Sequence, residues 1–77
     1  MDELLKRITI NPSVMAGKPV IKGTRITVEH LMRALASGQT SDELLDAHPH
    51  LSTDDIRAAC AYAAARLADE RILIQAE

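Results

Sequence analysis

Lys18, Lys22 and Arg25 fall within one short stretch, Gly17-Lys18-Pro19-Val20-Ile21-Lys22-Gly23-Thr24-Arg25-Ile26-Thr27. Their chemistry is electrostatic: ammonium and guanidinium groups bind phosphate oxygens or carboxylates, and arginine does so with a planar fork of donors. The backbone that carries them has few options. Pro19 biases Lys18 towards an extended conformation, and Gly23 permits a positive φ or a bulge between Val20-Ile21 and Arg25-Ile26. A shaped basic ribbon of this kind suits an interaction surface better than a catalytic pocket. The plainer reading is a solvated sheet edge whose lysines block strand-to-strand aggregation, or an Arg25 that bridges to an acid of the same chain.

The remaining residues with reactive side chains do not assemble on paper. His30, His48, His50 and Cys60 include no cysteine pair, and no two histidines have the i, i+4 spacing of paired helical ligands. No nucleophile, base and orienting group stand out together. The expectation is a protein that is not an enzyme and carries no metal or cofactor.

Charge is divided along the chain. Residues 1–27 hold five Lys and Arg against two acids, while residues 28–77 hold four against nine. A polyanion is drawn to the first third and repelled by the rest.

The elements that must position these cations can be read from period and punctuation. Arg7-Ile8-Thr9-Ile10 alternates and predicts a strand with Ile8 and Ile10 on one face. Asn11-Pro12-Ser13 supplies a turn, and extended pieces follow at Pro19 to Ile21 and at Thr24 to Ile26. Together these make a β ribbon over residues 7–26. From Thr27, a good N-cap, Val28, Leu31, Met32 and Leu35 recur at helical spacing, and Gly38 closes the helix. Thr40 and Glu43 form a capping box that opens a short helix with Leu44, Leu45 and His48 inward, stopped by Pro49. A second box, Ser52 to Asp55, opens the longest helix, expected to reach about Arg71 with Ile56, Cys60, Ala63 and Leu67 as its buried stripe. Its outward arc then holds Asp54, Ala58, Ala61, Tyr62, Ala65 and Asp69. Residues 72–77 form an apolar tail.

The fold class is therefore mainly α: a short N-terminal β ribbon followed by a three-helix helix-turn-helix bundle over residues 27–71, all in one domain spanning 1–77. The layout of Leu35 to Tyr62 resembles the DNA-binding end of recombinases. A helix-turn-helix protein reads DNA near the start of its last helix, where this chain places Ser52, Thr53, Asp54 and Asp55, with Arg57 the only cation in reach. Two carboxylates there suit the helix dipole but not a phosphate lattice. The small residues Ala58, Ala61 and Ala65 with Tyr62 suit instead the close approach of a protein, either a second copy or a partner. Bare helix propensity explains the alanines equally well.

Ile8-Thr9-Ile10-Asn11-Pro12, the Gly17-Lys18-Pro19…Gly23-Thr24-Arg25 signature, Leu35-Ala36-Ser37-Gly38, and His48-Pro49-His50-Leu51-Ser52 with Asp55-Ile56-Arg57-Ala58-Ala59 together resemble the bacterial domain-of-unknown-function 433 family. The likeness covers roughly residues 7–66. It implies a homeodomain-like helix-turn-helix protein, an antitoxin in the manner of VapB that neutralises a PIN-like ribonuclease and represses its own operator DNA. A freestanding helix-turn-helix transcriptional regulator is the alternative. Where relatives carry Gly-Gly before Lys-Pro, Pro after Arg-Ile and Tyr before Pro-His-Leu, this chain has Ala16, Thr27 and His48, departures expected to be conformationally mild. On these readings Lys18, Lys22, Arg25 and Arg57 contact nucleic acid or toxin, and Ala58, Ala61, Tyr62 and Ala65 form a protein interface.

Composition sets the remaining bounds. A chain of 77 residues buries only about 60% of its unfolded surface, and its single ring, Tyr62, leaves the core to aliphatics. A homodimer is expected on that ground. The lone Cys60 excludes a disulfide framework and fits a reduced, cytoplasmic setting. The acidic start, Met1-Asp2-Glu3, does not read as a signal peptide, and no apolar run is long enough to span a bilayer.

Overall fold

The structure, a computed structural model, describes residues 2–69. A short helix α1, Asp2–Leu5, leads into strand β1, Ile8–Thr9. Strand β2, Val20–Ile21, pairs antiparallel with β1, placing Ile8 opposite Ile21 and Thr9 opposite Val20. Val20 also bridges to Thr27, so β2 lies between two neighbours and its residues are buried. Three helices follow: α2, Val28–Ala36; α3, Ser41–Ala47; and α4, Thr53–Asp69. The mainly helical class with an N-terminal antiparallel ribbon is as expected. The tail at 72–77 and the expected last turn of α4 to Arg71 lie outside the described residues.

Helices α2, α3 and α4 begin, and α2 ends, where local chemistry says they should. The Thr27 hydroxyl accepts from the His30 N–H at 2.9 Å. At the other end of α2, Gly38 takes φ +99°, and the Gly38 and Gln39 N–H groups donate to the carbonyls of Leu35 and Ala34, both at 3.1 Å. These two bonds are the Schellman arrangement, available to glycine because it lacks a Cβ. Thr40 and Glu43 exchange bonds of 2.9 and 3.1 Å as a capping box. Ser52 and Asp55 do the same at 3.0 and 3.2 Å.

The core joins ribbon to bundle. Ile21, Val28, Leu31, Leu44, Leu51, Ile56 and Ala59 form one buried cluster, with Ile8, Ile26, Met32, Leu35, Leu45 and Tyr62 packed around it. Burial of each large aliphatic is worth about 1.5–3 kcal/mol, so the ribbon is held by Ile21 more than by its short ladder.

Three expectations are corrected. Helix α1 packs on α4, an element too short to show a period in sequence. The buried side of α4 is Asp55, Ile56, Ala58, Ala59 and Ala61, while Cys60 is exposed and Leu67 is 57% exposed. Ile56 of the expected stripe is buried as expected; alanines allow close approach, so Ala58, Ala59 and Ala61 turn inward in place of Cys60 and Leu67. Ile10 is also 57% exposed rather than sharing the inner face with Ile8. The strand ends at Thr9, and the chain turns through Asn11, whose carbonyl and side chain accept from Val14 and Ser13.

Candidate functional site

The tip of the ribbon is a tight, well-tied turn. The Thr24 N–H and hydroxyl both donate to the Ile21 carbonyl, at 3.0 and 2.8 Å. The Ile26 N–H donates to the Thr24 hydroxyl oxygen at 3.0 Å, and the Ile21 N–H donates to the Ile26 carbonyl at 2.9 Å. Gly23 has φ +79°, as the third residue of a type II turn requires. This turn displays Lys22 and Arg25 in exposed positions. Among the described residues neither makes a side-chain hydrogen bond or ion pair.

Lys18 stands apart from them. Its Nζ lies 3.0 Å from Glu29 Oε1, and Arg33 Nε lies 3.1 Å from Glu29 Oε2. Hydrogen bonds from Lys18 and then Arg33, with the attraction of both charges, hold the Glu29 carboxyl below the usual carboxylate range. The ribbon thus keeps one cation for its own helix α2 and presents two. The bridge from ribbon to helical part is real, but Lys18 makes it and not Arg25.

Arg57 is likewise engaged. Its Nη1 lies 3.3 Å from Asp54 Oδ1, and Arg7 reaches Asp54 at 3.7 Å and Asp55 at 3.1 Å. The start of α4 is a local ion network in which two arginines meet two aspartates. Of the four residues expected as a protein interface, Ala58 is 0% and Ala61 6% exposed, so the chain's own packing covers them and the outward arc is overturned at these two. Tyr62 and Ala65 are half-buried, and Tyr62 packs on the core.

Sequence spacing did not show that His30 and His48 meet. Their ring centroids are 5.8 Å apart with planes at 87°. They lie nine residues either side of Gln39, and the short link between α2 and α3 folds that chain back on itself. This symmetry about a helix–helix turn was the available signal. Arg25, Met15 and the two rings wall an open cleft of about 310 Å³. Arg25 also borders a second cleft of about 470 Å³ beside Thr9, Asn11 and Thr24. His50 and Cys60 are exposed elsewhere. Among the described residues no three His, Cys, Asp or Glu side chains gather to hold a metal ion, and no helix is long and apolar enough to cross a membrane.

Comparison with known proteins places this arrangement. A chain from Anabaena variabilis ATCC 29413, described as a DUF433 member protein, has a crystal structure similar to this fold with a TM-score of 0.76 and 34% identity, covering 83% of this chain and 63% of that one. The uncharacterized protein y4eO of Sinorhizobium fredii is 36% identical over 58 residues, which are 75% of this chain and 26% of that protein. The chain thus spans about a quarter of the length of that curated relative. The model of the family described as "Protein of unknown function (DUF433)" matches residues 8–63, from the first strand through most of α4, and the chain belongs to that family.

Proposed function

We propose that the protein is an antitoxin-like partner that neutralises a PIN-like ribonuclease by presenting Lys22 and Arg25 to its acidic surface. The observation that carries this reading is a pair of exposed cations without internal partners on a turn tied by four hydrogen bonds. Cations on a stiff loop lose little conformational freedom on docking, which favours affinity. The class of partner comes from the family resemblance. In the mechanism, Lys22 and Arg25 enter among the carboxylates with which such a nuclease holds its metal ions and compete with them. Lys18, already paired with Glu29, is not required.

Operator binding is a second activity of the same reading, with α3 and α4 as the helix-turn-helix. Charge counts against it: the first turn of α4 carries Asp54 and Asp55, and Arg57 is bonded to Asp54. On α4, a second copy would meet the exposed Cys60 and Leu67, which share one side of the helix, rather than the buried alanines.

RNA cleavage by a PIN-like ribonuclease, measured with and without this protein, tests the proposal. Added protein should abolish cleavage stoichiometrically, and between roughly 50 and 200 mM salt the inhibition, carried by two cations, should weaken far less than a complex of many phosphate contacts, which loses orders of magnitude in affinity. Unchanged cleavage at excess protein would contradict it. Tight, salt-sensitive binding to operator DNA without inhibition would favour a freestanding regulator.

A further inference from the structure

The outer edge of the ribbon carries backbone groups that the fold leaves unpaired. The Lys22 N–H donates to the Arg7 carbonyl, while the Ile21 N–H turns the other way, to the Ile26 carbonyl. Ile8 and Ile21 are therefore a non-hydrogen-bonded pair of the antiparallel ladder. The N–H and C=O of Ile8 point away from β2, and so does the N–H of Ile10 beyond it. Among the described residues no strand lies on that side, and no hydrogen bond reaches Ile8 or Ile10 from it. Strand β2 differs: its far side is covered by the Thr27 bridge and by the bond from the Val28 N–H to the Pro19 carbonyl. We propose that the free edge of β1 pairs with the same edge of a second copy of this chain, antiparallel and with twofold symmetry about Thr9.

The edge is built to accept a strand. Ile8, Thr9 and Ile10 all favour extended backbone, and the three include none of the lysines, prolines or bulges that protect exposed edges. Ile10 is 57% exposed, which leaves its apolar surface for a neighbour. With a neighbour alongside, β1 runs on through Ile10.

Register and charge identify the occupant. Lys6 and Arg7 lie in the turn that ends α1, where the Arg7 N–H bonds the Leu4 carbonyl, and Pro12 has no N–H to give. The usable edge is thus residues 8–10. A copy centred on Thr9 sets Ile8 against Ile10 of the second copy, and the reverse, so both pairs exchange backbone bonds. The two Thr9 residues meet at the axis, a favourable cross-strand pair. Arg7 then faces Asn11, so no like charges oppose, and its own charge is already met by Asp54 and Asp55. Centring on Ile8 would instead set Ile10 against Lys6, inside the turn. The twofold arrangement also closes: the joint sheet runs β2-β1-β1-β2, and both its outer strands are covered by their Thr27 bridges. The exposed side of α4 offers no such groups, because a helix bonds its own backbone. So short a ladder buries less than the roughly 1,200 Å² at which stable interfaces begin. The dimer is therefore weak and forms only at micromolar concentrations or above.

This inference stands whether or not the protein binds a nuclease, and its test uses the full chain alone. Sedimentation between about 1 and 500 µM, a span that brackets weak interfaces, should pass from monomer to dimer. Backbone NMR over the same span should show amide shifts centred on Ile8 and Ile10. Ile10→Lys places a protecting charge on the edge, and Ile10→Pro removes an outward N–H. Each should raise the dissociation constant at least about tenfold. Position 10 lies outside the intrachain ladder, and unchanged circular dichroism of the dilute variants confirms that they fold. Leu67→Ser on α4 should leave the constant within about twofold. A monomer at every concentration would overturn the inference, as would a dimer indifferent to both Ile10 variants. Loss of the dimer in Leu67→Ser alone would move the contact to α4.

Discussion

Arg7 Nη1 donates to Asp55 Oδ1 at 3.1 Å across 48 residues of sequence. Asp55 also accepts from the Ser52 N–H through its second oxygen, at 3.0 Å. One buried carboxylate, 8% exposed as a residue, thus starts α4 and fastens the edge of the ribbon to it. Replacing it removes a cap and leaves the Ser52 N–H and the Arg7 guanidinium without that partner. Asp55→Ala should cost about 2 kcal/mol and Arg7→Ala about 1 kcal/mol, because the arginine is half-exposed and screened. Urea unfolding of the two variants checks both values. Equal, near-zero effects would show that the ribbon is not anchored there.

Ala16 takes φ +57° between Met15 at +50° and Gly17 at +80°. A left-handed backbone costs an alanine about 1 kcal/mol that glycine avoids. The departure from the family's Gly-Gly at this point is therefore not conformationally mild. Ala16→Gly should raise stability by about 0.5–1 kcal/mol, seen as a higher thermal midpoint. A loss of stability would mean that the alanine is not held in this conformation.

Much of the fold could be read before any coordinates, for reasons that residues such as Thr27, Gly38, Thr40 and Ser52 make plain. A cap is a bond between neighbours in sequence, so its chemistry and its location are written together. Helix α4 is the counterexample. Its alanines carry little contrast between faces, and the contacts that choose a face come chiefly from α1 and α2, far away in the chain. The candidate site divides the same way: the tight turn that displays Lys22 and Arg25 was legible from Gly23, whereas the capture of Lys18 by Glu29 and the meeting of His30 with His48 depend on helix packing.

The orientation of α4 has a direct chemical test. Cys60 is exposed, so a maleimide should label it in the native protein at a rate close to that of the unfolded chain. Ala58→Leu, at a fully buried position, should cost about 1–3 kcal/mol or more by overpacking. Ala64→Leu, at an exposed one, should change stability by no more than about 0.5 kcal/mol. A protected thiol with a tolerated leucine at position 58 would put the helix in the opposite phase.

Acid should loosen the molecule through two surface glutamates. Hydrogen bonds from Lys18 and Arg33 lower the Glu29 carboxyl, and bonds from the Thr40 backbone and hydroxyl lower that of Glu43. Below the ordinary carboxylate value the unfolded chain then binds more protons than the folded one, so stability rises with pH in that window. The contribution is fully present above the ordinary value of 4.5 and is lost as pH falls through each lowered value. Glu29→Gln and Glu43→Gln should each flatten the acid limb of a stability–pH curve. A limb identical to that of the parent protein would show that these bonds do not persist in solution.

The division of labour among the three ribbon cations is the central claim, and calorimetric titration against a PIN-like ribonuclease, where one is encoded beside this protein, tests it most directly. Lys22→Ala with Arg25→Ala should weaken the complex by at least about 2 kcal/mol, roughly thirtyfold. Lys18→Ala, which removes only one of the two partners of Glu29, should leave affinity within about twofold. Loss of binding in the Lys18 variant with retention in the double variant would contradict the account.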